Sequence, residues 1–226
     1  IKVVIYTHCF FDNPHCYGGL LFNDFWEWLV FLGELALRTN YEWYIKVHPD
    51  YQAGTLKIIN DFLKRYPDIT FIPPAISHQQ LVYEGASVAL TCYGSIGHEL
   101  PLLGMRVVNA GFNPHIGYNF NIHPSSVEEY ENILLNLDKL PAATDDINEL
   151  YAFYYMHHDF YYLDDLIFDS HKEVLNYNGK FRYHRKYMSY AYFMRTYSEK
   201  QHKRSIANIE NFISSGKSDF SIMDMI

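Results

Sequence analysis

Short apolar runs alternate with amphipathic segments through the first half of the chain. β-Branched runs are typical of buried strands, and apolar residues at three- and four-residue spacing are typical of helices. We predict five strands, at Ile1–Tyr6, Trp43–Val47, Ile69–Ile72, Ser87–Thr91 and Arg106–Asn109. The predicted helices cover Phe25 to about Arg38, Gly54–Arg65, Ser77–Glu84 and Ser95–Leu103.

This alternation predicts an α/β fold, in which helices cover the faces of a parallel sheet. The carboxyl ends of parallel strands meet at one edge of the sheet, and ligands bind there. Three polar segments follow predicted strands and should therefore converge in space: Thr7–Gly19, Lys46–Asp50 and Thr91–Glu99. Their convergence is the most informative feature of the sequence.

The pattern changes after Pro141, where aromatic residues are dense and no strand alternation stands out. We predict an α/β lobe at 1–140 and an aromatic-rich helical region at 141–226 that packs on it. The stretch Lys180–Arg204 carries much of the positive charge. We favour a solvated helix face for this stretch, and contact with an anionic acceptor or with inner-leaflet lipid head groups is the alternative.

Composition narrows the class of protein. Hydrophobic residues make up 49% of the 226, which excludes overall disorder. A net charge of −8 argues against a protein that coats nucleic acid. Three cysteines match neither a disulfide framework nor a zinc spacing, and no apolar stretch is long enough for a transmembrane helix, so we expect a cytoplasmic protein. Because the chain opens on Ile1, we expect it to be part of a longer protein.

The segment Lys46-Val47-His48-Pro49 is the first candidate for chemistry. The proline ends the strand and leaves His48 facing the crevice, while Lys46 lies on the same face of an extended chain. Such a pair forms an anion cradle, in which His48 donates a hydrogen bond to a phosphate or moves a proton. A histidine that only fills a loop is the alternative.

The second candidate is the turn Thr91–Glu99, where a strand, small residues and a helix start follow one another. Its amides and the Ser95 hydroxyl suit a phosphate, and the Glu99 carboxylate suits ribose hydroxyls. The structural alternative makes Ser95 the helix N-cap and places Glu99 in the first turn as part of the cap. Outside these segments, His157-His158-Asp159 and Asp164-Asp165 are weak metal candidates, because adjacent helical residues point apart.

These motifs carry a family resemblance. The order Tyr-Ile-Lys-Val-His-Pro at 44–49 and then Thr-Cys-Tyr-Gly-Ser-Ile-Gly-His-Glu at 91–99 resembles the donor half of GT-B glycosyltransferases. More narrowly, it resembles the bacterial capsule and surface polysaccharide biosynthesis proteins that include Kdo transferases using CMP-Kdo. The opening Thr-His-Cys-Phe-Phe-Asp-Asn-Pro-His at 7–15 is similar to the start of that family's carboxyl-terminal lobe. The resemblance covers residues 1 to about 112.

The resemblance implies a Rossmann-like parallel sheet flanked by helices, the GT-B donor lobe. It implies transfer of a sugar, Kdo from CMP-Kdo, to a growing surface polysaccharide, with a cytidine-based donor and neither metal nor cofactor. It implies catalytic roles for His48 and Asp12. The donor would be bound by His8, Lys46, His48, Tyr93, Gly94, Ser95, Ile96 and Glu99. The chain departs from the family pattern at Pro101, in the second turn of a predicted helix.

A GT-B enzyme forms its active site between two lobes, and the sequence contains one run of strand–helix alternation. We therefore expect the amino-terminal acceptor lobe to be missing, so that this chain binds the donor without transferring sugar to a glycan acceptor. The partners implied are that acceptor and a peripheral contact with the inner membrane or a polysaccharide assembly complex. Two alternatives stay open: a transferase of CDP-activated polyol phosphate, and a non-catalytic interaction domain that retains the lobe.

Overall fold

The computed structural model describes residues 1–48, 54–141, 147–159 and 199–216. The chain divides into two compact units, Ile1–Phe153 and Tyr154–Ile226. Most of the predicted aromatic carboxyl-terminal region lies outside the described residues, as do Asp164-Asp165 and most of the basic stretch Lys180–Arg204. Among the helices that are described, none is long and apolar enough to cross a membrane.

The five predicted strands are confirmed, each within about one residue of its predicted ends. They are β1 (Lys2–Tyr6), β2 (Glu42–Lys46), β3 (Thr70–Ile72), β4 (Ala86–Thr91) and β5 (Arg106–Asn109). Every neighbouring pair is parallel, and the order across the sheet is β3-β2-β1-β4-β5. β2 and β3 therefore lie on one side of β1, and β4 and β5 lie on its other side. This reversal of the strand order opens a crevice at the carboxyl ends of β1 and β4.

Helices flank the sheet, so the α/β fold is confirmed. The helices described in the first unit are α1 (Phe25–Ala36), α2 (Thr55–Arg65), α3 (His78–Tyr83), α4 (Ile96–Glu99), α5 (Val127–Leu135) and α6 (Ile147–Tyr154). The second unit contains α7 (Glu199–Ser215). Polar side chains cap the first turns, because the first amides of a helix lack partners within it. Asp24 Oδ1 accepts a hydrogen bond from the Glu27 amide at 2.8 Å, and Ser77 Oγ accepts one from the Gln80 amide at 3.1 Å.

Two helical segments differ from the prediction. The helix predicted at Ser95–Leu103 is broken into α4 and a 3₁₀ turn at Pro101–Leu103, since Pro101 has no amide hydrogen to continue the α-helical bonding. Gly104 then ends the segment with a φ of +82°. No helix is predicted between Asn109 and Pro141, yet α5 lies there, capped by the Ser126 hydroxyl.

Both faces of the sheet are buried, which explains why the strands read as continuous apolar runs. In β1, Val3 and Ile5 belong to the core on the side of α1, α2 and α5. Val4 and Tyr6 belong to the core on the opposite side, with Leu81 of α3. Successive side chains of a strand point to opposite faces, so the two cores follow directly from the strand pattern.

Candidate functional site

A cavity of about 600 Å³ opens at the carboxyl edge of the sheet, beside the ends of β1 and β4. The loops after β1, β2 and β3 and the turn between β4 and α4 surround it. Every residue predicted for the site lines this cavity: His8, Asp12, Lys46, His48, Tyr93, Gly94, Ser95, Ile96 and Glu99. The predicted convergence of three separate segments is therefore present in the structure.

His8 and Thr91 join the ends of β1 and β4 across the crevice. The Thr91 hydroxyl lies 3.1 Å from Nε2 of the buried His8 ring. The backbone amide of Tyr93 donates to the same nitrogen at 3.3 Å. Because an amide is only a donor, Nε2 must act as an acceptor, so the neutral ring carries its proton on Nδ1.

The surroundings of His8 also keep the ring neutral. Burial, reinforced by the nearby His48, lowers the pKa of His8 to about 3. A neutral imidazole with its proton on Nδ1 can donate a hydrogen bond from that nitrogen and is not a general base near pH 7.

Gly94 lies close to the same hydroxyl. Its amide donates to Thr91 Oγ1 at 3.2 Å, so this amide is already used within the protein. A Cβ at position 94 would lie 2.9 Å from Thr91 Oγ1, closer than real Cβ contacts come. The turn therefore needs glycine at position 94 for close packing. The sequence prediction, in contrast, assigns the Gly94 amide a hydrogen bond to a phosphate.

Ser95 does not cap α4 through its side chain, so the predicted capping arrangement is wrong for this residue. Its backbone already has helical angles (φ −56°, ψ −23°), whereas an N-cap residue is usually extended. Within the described residues, neither the Ser95 hydroxyl nor the amides of Ser95 and Ile96 donate to a protein acceptor. These three donors lie in the wall of the cavity and are available to a ligand.

Lys46 lines the cavity, but its ammonium holds the loop after β3. Nζ donates to the carbonyl of Pro74 at 2.7 Å and to that of Pro73 at 3.3 Å. The residue is 5% exposed, and burial lowers the pKa of its ammonium. These two carbonyls use most of the hydrogen-bond donors of the Lys46 ammonium. This structural role replaces the expected pairing of Lys46 with His48 on a phosphate.

Glu99 has neighbours that the sequence did not reveal. Its Oε2 lies 3.8 Å from Nε2 of His78, and Nδ1 of His78 lies 3.4 Å from the Tyr6 hydroxyl. Burial, and to a smaller extent the Glu99 charge, raises the pKa of Tyr6. Burial lowers the pKa of His78 against the opposing effect of Glu99. Pro73-Pro74 ends β3 at the same edge of the sheet. This chain break could have indicated from the sequence that the loop leading to His78 borders the site.

The mouth of the cavity is formed by the loop after β1. Tyr93 anchors this loop, because its hydroxyl donates to the Asn13 carbonyl at 2.9 Å and its ring packs 4.2 Å from that of His8. Burial raises the pKa of the Tyr93 hydroxyl. Asp12 is exposed in the same loop, and His48 is exposed directly after the buried Val47. The two predicted catalytic residues thus lie in the more open part of the cavity wall.

The described residues contain no group of three or more histidine, cysteine or acidic side chains arranged to hold a metal ion. The chain matches no protein-family model, and a search of curated proteins returned no match. The resemblance to GT-B glycosyltransferases therefore stays a prediction.

Proposed function

We propose that this chain is the nucleotide-sugar-binding lobe of a glycosyltransferase of surface polysaccharide synthesis. One observation carries the proposal: three segments far apart in sequence line a single cavity where the strand order of a parallel sheet reverses. Ligands of such sheets bind at this position. The volume of about 600 Å³ lies within the usual range for small-molecule sites.

The donor phosphate lies, in this proposal, against Ser95 and His48. The Ser95 hydroxyl and the amides of Ser95 and Ile96 are donors without acceptors in the described structure. The neutral His8 adds a fourth donor through Nδ1, because its Nε2 is already occupied. Donors held in place by the fold stabilise the charge that appears on the phosphate as the sugar leaves.

The nucleoside lies towards Glu99 and His78. The Glu99 side chain is 42% exposed, so its carboxylate can accept hydrogen bonds from ribose hydroxyls. His78, 3.8 Å away, limits the directions that the carboxylate can take. The resemblance favours cytidine as the base, and CMP-Kdo is the donor that we propose to test first.

Asp12, at the mouth of the cavity, is the proposed general base. It takes the proton of an acceptor hydroxyl as that oxygen bonds to the anomeric carbon of the donor sugar. The bond between that carbon and the phosphate oxygen breaks, and its electron pair leaves with the nucleotide.

A nucleotide panel tests the proposal. CMP, CDP, UDP and GDP are each added to the chain, and the thermal midpoint and the calorimetric Kd are measured. We expect the cytidine nucleotides to stabilise the protein most. Ser95→Ala should weaken CMP binding by about 1.5–3 kcal/mol, the range for a hydrogen bond to a charged group. Ser87→Ala is the matched control, since Ser87 lies in β4 away from the cavity.

The same panel can contradict the proposal. Absence of binding by all four nucleotides would reject the lobe as a nucleotide-sugar site. CMP binding by Ser95→Ala that equals that of the unmodified chain would reject the placement of the phosphate against Ser95. Selective binding of UDP or GDP would reject the cytidine donor alone.

A further inference from the structure

A second cavity, of about 520 Å³, lies beside the first. The loop after β1, the amino-terminal end of α1 and one side of α2 form its walls, through residues that include Asp12, Asp24, Trp26 and Asp61. Asp12 also lines the first cavity, so the two cavities adjoin at this carboxylate. None of the other three residues belongs to the predicted donor site.

The apolar part of this wall is aromatic. Trp26 is 40% exposed, although the next aromatic residue in the chain, Trp28, is buried. Within the described residues, the Trp26 indole nitrogen donates to no protein acceptor. An exposed indole beside a cavity offers a flat apolar face together with a polar N–H. The C–H face of a pyranose ring has the shape to stack on such a surface, and its hydroxyls can accept from the N–H.

The polar part of the wall is acidic. Among the lining residues that the structure describes, every ionisable side chain is a carboxylate: Asp12, Asp24 and Asp61. Asp24 Oδ1 is used by the Glu27 amide, and Asp61 pairs with Lys64 at 2.8 Å on the protein surface. Asp12 and Asp24 still leave the cavity negative. Carboxylates accept hydrogen bonds from sugar hydroxyls and ammonium groups, and they repel sugars that carry carboxylate or phosphate.

We propose that this cavity binds one pyranose unit of a glycan, and that this unit is neutral or bears an amino group rather than an acidic one. The first cavity is called the nucleotide cavity below, and the second is called the glycan cavity. The assignment of the bound glycan as the acceptor rests on the proposed function, because Asp12 stands between these two cavities. The glycan cavity then holds one acceptor unit beside Asp12 on this lobe, in contrast to the expectation from the sequence that a missing lobe binds the acceptor. An acidic sugar such as Kdo is excluded from this cavity by charge, even where it serves as the donor.

Three tetrasaccharides of different charge test the proposal. They are the glucosamine tetramer, the N-acetylglucosamine tetramer and the galacturonic acid tetramer, each titrated into the full chain and followed by saturation-transfer NMR and calorimetry. We expect the amino tetramer to bind most tightly, the neutral tetramer to bind detectably, and the acidic tetramer to bind at least tenfold more weakly than the neutral one. Equal or tighter binding of the acidic tetramer would overturn the proposal, as would no binding of the other two.

Variants locate the binding. Trp26→Ala should weaken the neutral tetramer at least tenfold, and Trp26→Phe should restore part of the affinity because a ring face remains. The matched control is Tyr83→Ala, which removes a ring that is 92% exposed on α3 and lies in neither cavity. Asp24→Asn should reduce the preference for the amino tetramer over the neutral one. Saccharide binding that survives Trp26→Ala unchanged would place the glycan elsewhere and reject this cavity.

The CMP affinity of each variant separates this proposal from the proposed function. Trp26→Ala should leave CMP binding unchanged, because Trp26 does not line the nucleotide cavity. Tetrasaccharide binding by a chain that binds no nucleotide would support the glycan cavity and reject the transferase. Nucleotide binding without tetrasaccharide binding would support the nucleotide site of the transferase and reject the glycan cavity.

Discussion

At the scale of single residues, Thr91 has the most specific position in the site. Its hydroxyl accepts from the Gly94 amide and lies 3.1 Å from His8 Nε2, so its own proton points to His8. Thr91 therefore helps to select the imidazole tautomer that presents Nδ1–H to a ligand. It is a positioning residue, because it acts through His8.

Substitution of Thr91 should change the tautomer of His8. In Thr91→Val only the longer bond from the Tyr93 amide, 3.3 Å, still favours the Nδ1–H tautomer, so we expect the Nε2–H tautomer to become detectable and CMP binding to be about tenfold weaker, or about 1.4 kcal/mol. Thr91→Ser keeps the hydroxyl and should keep both the Nδ1–H tautomer of His8 and the affinity for CMP. The ¹⁵N shifts of the His8 ring measure the tautomer directly. A single Nδ1–H tautomer in Thr91→Val would show that Thr91 does not select it.

His8 should make the protein sensitive to acid. Its pKa is about 3 when folded and close to 6.5 when unfolded, so between these values only the unfolded chain binds the proton. The free energy of unfolding should therefore fall as the pH drops from 6.5 towards 3, by up to about 1.4 kcal/mol per pH unit from this group. Urea titrations at several pH values measure this slope.

The variant His8→Gln should remove this contribution and give a shallower dependence below pH 6.5. His15→Gln, at an exposed histidine in the following loop, is the matched control and should keep the steep slope. Equal slopes in the two variants would mean that folding does not lower the pKa of His8.

At the scale of elements, the turn between β4 and α4 depends on close packing. A Cβ on Gly94 would lie 2.9 Å from Thr91 Oγ1, within a wall of the cavity. The break after α4 has a separate cause, because Pro101 cannot donate the hydrogen bond that an α-helix would require there. Glycine at position 94 thus permits the close packing of the turn that leads into Ser95 and Ile96.

Gly94→Ala should disturb this turn. We expect a loss of about 1–3 kcal/mol in the free energy of unfolding, which is typical of an added methyl group in packed surroundings, together with weaker CMP binding. Gly117→Ala is the matched control, because a Cβ there meets nothing within 4 Å, and it should change stability by less than about 0.5 kcal/mol. Urea unfolding measures both. Equal effects of the two substitutions would contradict the close approach at Gly94.

At the scale of the whole molecule, the cavity joins segments that share no local contact along the chain. A nucleotide bound there should slow hydrogen exchange together at 7–12, 74–78 and 93–97, because it contacts loops from several strands. Residues 127–135 of α5, which do not line the cavity, should keep their exchange rates. Exchange mass spectrometry with and without CMP measures this. Protection restricted to one of the three segments would contradict a shared site.

The sequence by itself determined the strands, their alternation with helices and the edge where polar segments converge. These features follow from local hydrophobic periodicity and from chain breakers such as Pro73-Pro74 and Gly104, which act within a few neighbouring residues. Helix α5 was less visible, since turn signals at Asn113-Pro114 and His123-Pro124 dominate the segment before it.

Only the tertiary structure decided how the convergent side chains are used. His8 and Thr91 are 83 residues apart, and their hydrogen bond exists because β4 returns to lie beside β1. The carbonyls that bind Lys46, and the approach of His78 to Glu99, likewise depend on the path of the loop after β3. Periodicity along a chain records which face a residue takes, whereas the partner that it meets there depends on strand order and register.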